Sequence, residues 1–166
     1  MSKLMTCLWF DGQAEEAANF YVDTFKACGR EASLGETLRI GEAGPSQPTP
    51  DGKILTIDFT LDGQDFLGLN GGSDFQFTPA ISLLVRCRDQ AEVDAFWDGL
   101  QAGGGKPMEC GWLTDRFGVA WQITPTILLE MSRDADMERA GRVMRAMMTM
   151  TKLDVAGLKA AYDAPS

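Results

Sequence analysis

Gln13-Ala14-Glu15 and Gln90-Ala91-Glu92 are the same tripeptide set 77 residues apart, and the reading of this pair decides the fold. At that offset Gly12 aligns with Asp89, Ala18 with Ala95 and Phe20 with Trp97. An apolar run of strand character precedes each copy, Leu4–Phe10 in the first and Ile81–Cys87 in the second. Gly12 and Asp89 both suit a helix N-cap, and each is followed three residues later by a Glu able to reach back to it. Apolar residues then recur at helical spacing: Ala14, Ala17, Ala18, Tyr21 and Phe25 in one copy, Val93, Phe96, Trp97 and Leu100 in the other. The same strand and the same helix around a shared tripeptide indicate an internal repeat.

Beyond each helix the pattern turns to strands. Cys28-Gly29-Arg30 and Gly103-Gly104-Gly105 supply residues that tolerate the positive φ of a helix end. Ile54–Leu61 and Asp65–Asn70 flank Asp62-Gly63, a dipeptide favoured in tight hairpins. Trp112–Phe117 and Val119–Thr124 flank Gly118 and read as the equivalent hairpin of the second copy. The expected fold is therefore α+β, two tandem βαβββ modules of curved mixed sheets within one domain over 1–166. Module one runs from about 1 to 73, module two from about 78 to 125, and a helical tail from about 126 to 166. The Gly-, Pro- and Ser-rich segment 41–53 reads either as a solvated connection or as a lid over a pocket.

In the tail, Met131, Met137, Met144, Met147, Met148 and Met150 join Ala140 and Val143 in an apolar face, with Arg139, Arg142 and Arg145 expected outside it. A further helix starts at Asp154, with Leu153 and Leu158 spaced as a hydrophobic staple. Neither helix is stable alone, so the tail either closes the domain's own core or buries against a second subunit.

Composition removes several functions. Fifteen Lys and Arg against 24 Asp and Glu leave a net charge of −9 with no basic stripe, which argues against nucleic acid. There is no histidine, so imidazole-based nucleophile systems and imidazole metal ligands are excluded. Cys7, Cys28, Cys87 and Cys110 are widely spread and read as reduced thiols of a cytoplasmic protein. The apolar start of the chain is too short for a signal segment, and no run approaches a membrane span.

Longer stretches resemble a known family. Tandem βαβββ modules are the architecture of the vicinal oxygen chelate superfamily (glyoxalase, bleomycin-resistance protein, extradiol dioxygenase). Leu8–Tyr21 (LWFDGQAEEAANFY), Phe59–Phe66 (FTLDGQDF), Leu69–Gly72 (LNGG), Phe77–Ser82 (FTPAIS), Gly111–Gln122 (GWLTDRFGVAWQ) and Lys152–Tyr162 (KLDVAGLKAAY) look like its PhnB-like subfamily, often called the 3-demethylubiquinone-9 3-methyltransferase domain. The resemblance implies cup-shaped modules whose inner faces carry His or Glu ligands in metal-using members. Those positions fall here on Met5 or Thr6, on the segment from Ala80 to Leu83, on Gly68 or Asn70, and on Gln122. None is a strong ligand, so neither a metal nor another cofactor is expected. The glycines of Gly41–Gly44 and Gly103–Gly105 follow a strand or end a helix, unlike the strand-to-helix cradle of common methyltransferases.

Four residues are expected to line a small-molecule site. Thr6, Asn70 and Gln122 would offer hydroxyl and amide groups, and Trp112 would line the rim. Alternation sends Ala120, Gln122 and Thr124 to the cup and Trp121 to the core. Asn70 has a second reading as a turn former, and Asp115 reads as part of its hairpin turn. Cys110 beside Glu109 reads as inert, for want of a cation to activate it. The expected protein is a metal-independent homodimer binding a small ligand. The alternative is an enzyme of glyoxalase, dioxygenase or methyltransferase type using non-standard ligands or a carboxylate.

Overall fold

A computed structural model describes residues 4–165. Met1–Lys3, the start of the stretch weighed as a signal segment, lie outside the described residues. Two compact units divide the chain, residues up to Phe77 in one and Thr78 onward in the other. The helical tail folds with the second module, rather than standing as a third part.

The first unit runs β1 (Thr6–Phe10), α1 (Ala14–Ala27), β2 (Ala32–Ile40), β3 (Lys53–Leu61) and β4 (Gln64–Asn70), with a short 3-10 turn at Gly44–Ser46. Its sheet order is β1-β4-β3-β2, with β1 parallel to β4 and the other pairs antiparallel. Leu8, Phe10, Ile57, Phe59, Leu61 and Phe66 alternate onto the face that packs on α1, where Ala14, Ala17, Ala18, Tyr21, Val22 and Phe25 meet them. Asp62 (φ 49) and Gly63 (φ 77) both take positive φ, the backbone of the tight hairpin that the Asp-Gly pair predicts.

The second unit repeats this order with β5 (Ser82–Cys87), α2 (Gln90–Gln101), β6 (Lys106–Pro107), β7 (Trp112–Thr114) and β8 (Ala120–Pro125). Its sheet order is β5-β8-β7-β6, again with one parallel pair, β5 on β8. The repeated tripeptide therefore marks two βαβββ units with the same sheet topology.

The two helices start differently. Asp89 caps α2 as expected, its carboxylate accepting from the Glu92 N–H at 2.9 Å, while Glu92 reaches back to the Arg88 N–H at 2.7 Å. In α1 the cap is Gln13 rather than Gly12, and its side chain makes no capping bond. The orphan N–H of Ala14 is met instead by Asn70 Oδ1 from β4, at 2.9 Å.

The tail forms α3 (Thr126–Met131), α4 (Met137–Met147) and α5 (Val155–Asp163). Leu128, Met131, Val143, Leu153 and Leu158 bury together, with Met147, Met150 and Tyr162 against them. The Leu153–Leu158 staple is present around the Asp154 cap. The methionines do not share one face: Met137, Met144 and Met148 remain exposed. The arginines also divide. Arg142 is drawn in to donate to the Ala161 and Tyr162 carbonyls, both at 3.1 Å, and Arg139 lies over the Tyr162 ring at 4.0 Å. Cations at the C-terminus of α5 complement its dipole, and Arg142, the more buried of the two, also satisfies its last carbonyls.

A strap from Met150 to Val155 ties this tail to the sheet of module two. The Cys110 and Gly111 N–H groups donate to the Met150 and Thr151 carbonyls at 2.7 and 2.8 Å. Gln90 donates to the Leu153 carbonyl at 3.2 Å and accepts from the Val155 N–H at 2.7 Å. Lys152 pairs with Asp94 at 2.8 Å. Gly111 is required here, because a Cβ on it would stand 2.8 Å from the Leu153 side chain.

Candidate functional site

Residues paired across neighbouring strands share a sheet face, so the register fixes what each face presents. On sheet two, Leu84, Gln122 and Trp112 form one row across β5, β8 and β7, and Ser82, Ala120 and Thr114 form the next. This face points away from α2. The opposite face carries Val85, Cys87, Leu113, Trp121 and Ile123, all buried on the α2 side. Gln122 and Trp121 thus take opposite faces, as alternation predicts.

Gln122 is half-buried and donates from Nε2 to the Ser82 hydroxyl at 2.8 Å. Its Oε1 has no partner among the described residues, which leaves one acceptor available. Trp112 is half-buried beside it, with no partner for its indole N–H among the described residues. An aromatic plane, an amide, a hydroxyl and the exposed Leu84 therefore lie side by side. Such a mixture of apolar surface and a few oriented polar groups is what small-molecule sites use.

Thr6 and Asn70 belong to sheet one. Thr6 pairs with Phe66 and alternates with the buried Leu8 and Phe10, so it belongs to the α1 face of sheet one; its hydroxyl accepts from Gln64 at 3.4 Å. Asn70 pairs with Phe10, and its amide is committed at both ends, to the Ala14 N–H and to the Ile54 carbonyl at 3.0 Å. Asn70 thus ties β4 and β3 to the start of α1.

The face of sheet one away from α1 holds residues that the sequence reading passed over. Cys7, Leu67 and Asp58 form one row, Trp9, Leu69 and Thr56 another, and Asp65 pairs with Thr60 in a third. The Thr60 hydroxyl donates to Asp65 at 3.1 Å. Trp9 donates to the Gly72 carbonyl at 2.8 Å and meets Phe75 edge-on at 4.9 Å. Gly71 exists for this ring, since a Cβ there would lie 2.3 Å from Trp9. Burial holds the Cys7 thiol above its ordinary pKa, the opposite of an activated nucleophile. Two carboxylates, Asp58 and Asp65, therefore stand on this face. The alternation Ile57, Phe59, Leu61 against Thr56, Asp58, Thr60 was the signal.

Asp115 is structural. It is buried, and its carboxylate accepts from the Phe117 and Val119 N–H groups at 2.8 and 3.0 Å and from the Trp121 indole at 2.8 Å. The hairpin turn and the Trp121 anchor are one device. Gly105 serves packing as well, since a Cβ on it would meet Gln101 at 2.5 Å.

The donor set does not suit a metal. The face around Gln122 offers amide and hydroxyl oxygens only. Among the described residues no three His, Cys, Asp or Glu side chains come together. A tight transition-metal site takes three or four charged or imidazole ligands at fixed geometry. No helix of the described residues is long and apolar enough to cross a membrane.

Two tandem βαβββ units with these sheet orders define a protein of the vicinal oxygen chelate type. Within it, the chain belongs to the PhnB-like family described as 3-demethylubiquinone-9 3-methyltransferase, whose model matches residues 2–124. A PhnB protein from Bacillus cereus bearing that methyltransferase name is similar at 34% identity and a TM-score of 0.63, covering 75% of this chain and 99% of its own. Protein PA1353 from Pseudomonas aeruginosa shares the fold at 18% identity and a TM-score of 0.55, over 73% of this chain and 95% of its own. No curated protein matches. The family match stops before the tail, so the likeness read in Lys152–Tyr162 lies outside it.

Proposed function

We propose that this chain is a metal-independent small-molecule-binding protein whose ligand sits on the Trp112–Gln122–Leu84 row of module two. The observation that supports it is the Gln122 amide, oriented by Ser82, beside the Trp112 indole, with Oε1 and the indole N–H both unpartnered among the described residues. A ligand donor would meet Oε1, and a flat apolar body would lie along Trp112 and Leu84. Titrating metabolites against tryptophan fluorescence, with elemental analysis of the same sample, tests the reading. Gln122→Ala should weaken binding by about 5- to 150-fold, the cost of one unpaired amide. Unchanged binding, or one tightly held Zn, Ni or Fe per chain, would overturn it.

We further propose a homodimer acting in the cytoplasm. Exposed Met137 and Met144 on α4, with Met148 at its C-cap, supply a flexible apolar surface suited to a second copy, and no disulfide joins the four cysteines, in keeping with a reducing compartment. Met147 packs inside the tail, so Met144→Asp with Met148→Asp is the informative pair. A mass of 18.1 kDa by light scattering of the unaltered protein at micromolar concentration would refute the dimer.

A second reading, acid–base catalysis, is favoured by one observation: Asp58 shares a row with Cys7 and Leu67 on the face away from α1. Its test is Asp58→Asn, which should abolish turnover of any ligand the screen finds to be consumed.

A further inference from the structure

The segment 41–53, read from sequence as either a solvated connection or a lid, joins β2 to β3 and is largely exposed, but it does not hang free. It folds back on β2 and is pinned there. Thr49 N–H donates to the Arg39 carbonyl at 3.1 Å, Pro48 bridges Ile40, and Gly41 N–H reaches the Gln47 carbonyl at 2.8 Å. Gly52 passes so close to β2 that a Cβ on it would stand 2.0 Å from the Ile40 carbonyl oxygen. Between this fold-back and β2 lies an open groove of about 500 Å³, lined by Thr37, Leu38, Arg39, Pro48, Thr49 and Pro50. That volume falls in the range of small-ligand sites.

Register shifts in the β2–β3 ladder fall between Leu34 and Thr37 and between Leu38 and Arg39, at the strand wall of the groove. Irregularities of this kind re-aim side chains next to sites. Arg39 is turned toward α1: one guanidinium nitrogen, Nη1, donates to the Gly52 carbonyl at 3.1 Å, and Nη2 stands 3.9 Å from Glu15 in the first turn of α1. The Glu15 contact is long and exposed, so it neutralises little of the charge. Nε has no partner among the described residues. The groove thus combines one cation held in place by a backbone carbonyl, two threonines and an apolar wall of Leu38, Pro48 and Pro50.

We propose that this groove is a binding site for a small organic monoanion, a carboxylate carried on an apolar or aromatic body. The guanidinium fork matches the geometry of a carboxylate, and the prolines and leucine cover the carbon body. A single cation suits one negative charge rather than a phosphate dianion. Since the chain carries a net charge of −9, the molecule at large does not attract an anion, and affinity has to arise from this fork. The site lies along β2, the edge strand of sheet one, and does not involve the Trp112–Gln122 row.

Benzoate and its neutral isostere benzamide are the probes, titrated into the full chain while backbone amide shifts are followed by NMR. Benzoate should move the amides of Thr37, Leu38, Arg39, Thr49 and Gly52, and benzamide should not. Arg39→Gln should weaken benzoate by about tenfold or more, and Arg39→Lys by less, as the charge stays but the fork is lost. If Arg39→Gln disturbs the fold-back, Thr37→Val with Thr49→Val serves instead, as neither side chain holds Gly52, and should also weaken benzoate. The proposal fails if both probes shift the same amides equally, if neither shifts them, or if these variants bind benzoate like the unaltered protein. It fails equally if Gln122→Ala, rather than Arg39→Gln, removes the benzoate response.

Discussion

Gln13 and Gln90 open the two halves of the repeat with the same residue, and the structure gives them unequal work. Gln13 is exposed and its side chain makes no capping bond. Gln90 is half-buried, donates to the Leu153 carbonyl and to Asp94, and accepts from the Val155 N–H at 2.7 Å. Replacing Gln90 by Ala removes three hydrogen bonds and strands two backbone groups at the start of α5. At about 1 kcal/mol for each of the two tail bonds, plus a partial penalty for the stranded groups, the cost is about 2–3 kcal/mol. For a chain of this size that lowers Tm by about 4–12 °C. Gln13→Ala should stay within about 0.5 kcal/mol of the unaltered protein. Urea unfolding of both variants measures the difference, and amide hydrogen exchange locates it: Val155, Cys110 and Gly111 should lose protection in Gln90→Ala alone. Equal stabilities for the two variants, or exchange unchanged at those three amides, would refute the assignment of the strap to Gln90.

Three further outcomes follow from named contacts. Asn70→Ala should cost about 1–3 kcal/mol in urea unfolding, because the Ala14 N–H and the Ile54 carbonyl both lose their partner; no loss of stability would return Asn70 to a ligand-binding role. Asp115→Ala should be among the most damaging substitutions, about 3 kcal/mol or more, since it leaves three donors unmet around a buried Trp121, whose near-UV circular dichroism should also collapse. The Asp94–Lys152 pair makes the strap sensitive at both ends of the pH scale. The Lys152 hydrogen bond, then that of Gln90, holds Asp94 below its ordinary 3.8, so its contribution is complete above that value and disappears as pH falls through the lowered one. The Asp94 hydrogen bond raises Lys152 above 10.5, so that contribution is complete below 10.5 and is lost as pH rises through the raised value. The stability gap between the unaltered protein and Asp94→Asn should therefore close on both sides of a neutral plateau; a gap independent of pH would count against the pair.

The βαβββ repeat was legible because each element carries a local signal: a period of two in Ile57, Phe59 and Leu61, a helical period in Tyr21 and Phe25, and the Asp62-Gly63 turn. The same alternation placed Gln122 and Trp121 on opposite faces. What escaped was contact between residues distant in sequence. Asn70 reads as a strand end or a polar lining residue until one sees that Ala14, 56 residues earlier, needs an acceptor. The choice between Met5 and Thr6 turns on one residue of register, and β1 has only two buried positions to set the phase. The methionines looked like one surface because composition alone does not separate Met131, Met147 and Met150, which fill the tail, from Met137, Met144 and Met148, which do not. Arg142 needed the end of α5 beside it before its burial made sense.

The strap has a consequence for the order in which the molecule can be made. Module one has all its strands and its helix within the first 77 residues, so it can fold as soon as they emerge from the ribosome. Module two cannot finish when β8, its last strand, emerges. Gln90, Asp94, Cys110 and Gly111 keep unmet partners until Met150–Val155 has been synthesised, some thirty residues later. At roughly 5–20 residues per second, that is a delay of about two to six seconds, during which sheet two is complete in sequence but its side and rim lack their cover. Nascent chains halted after β8 should accordingly show a protease-resistant first module and a second module that a protease still cuts.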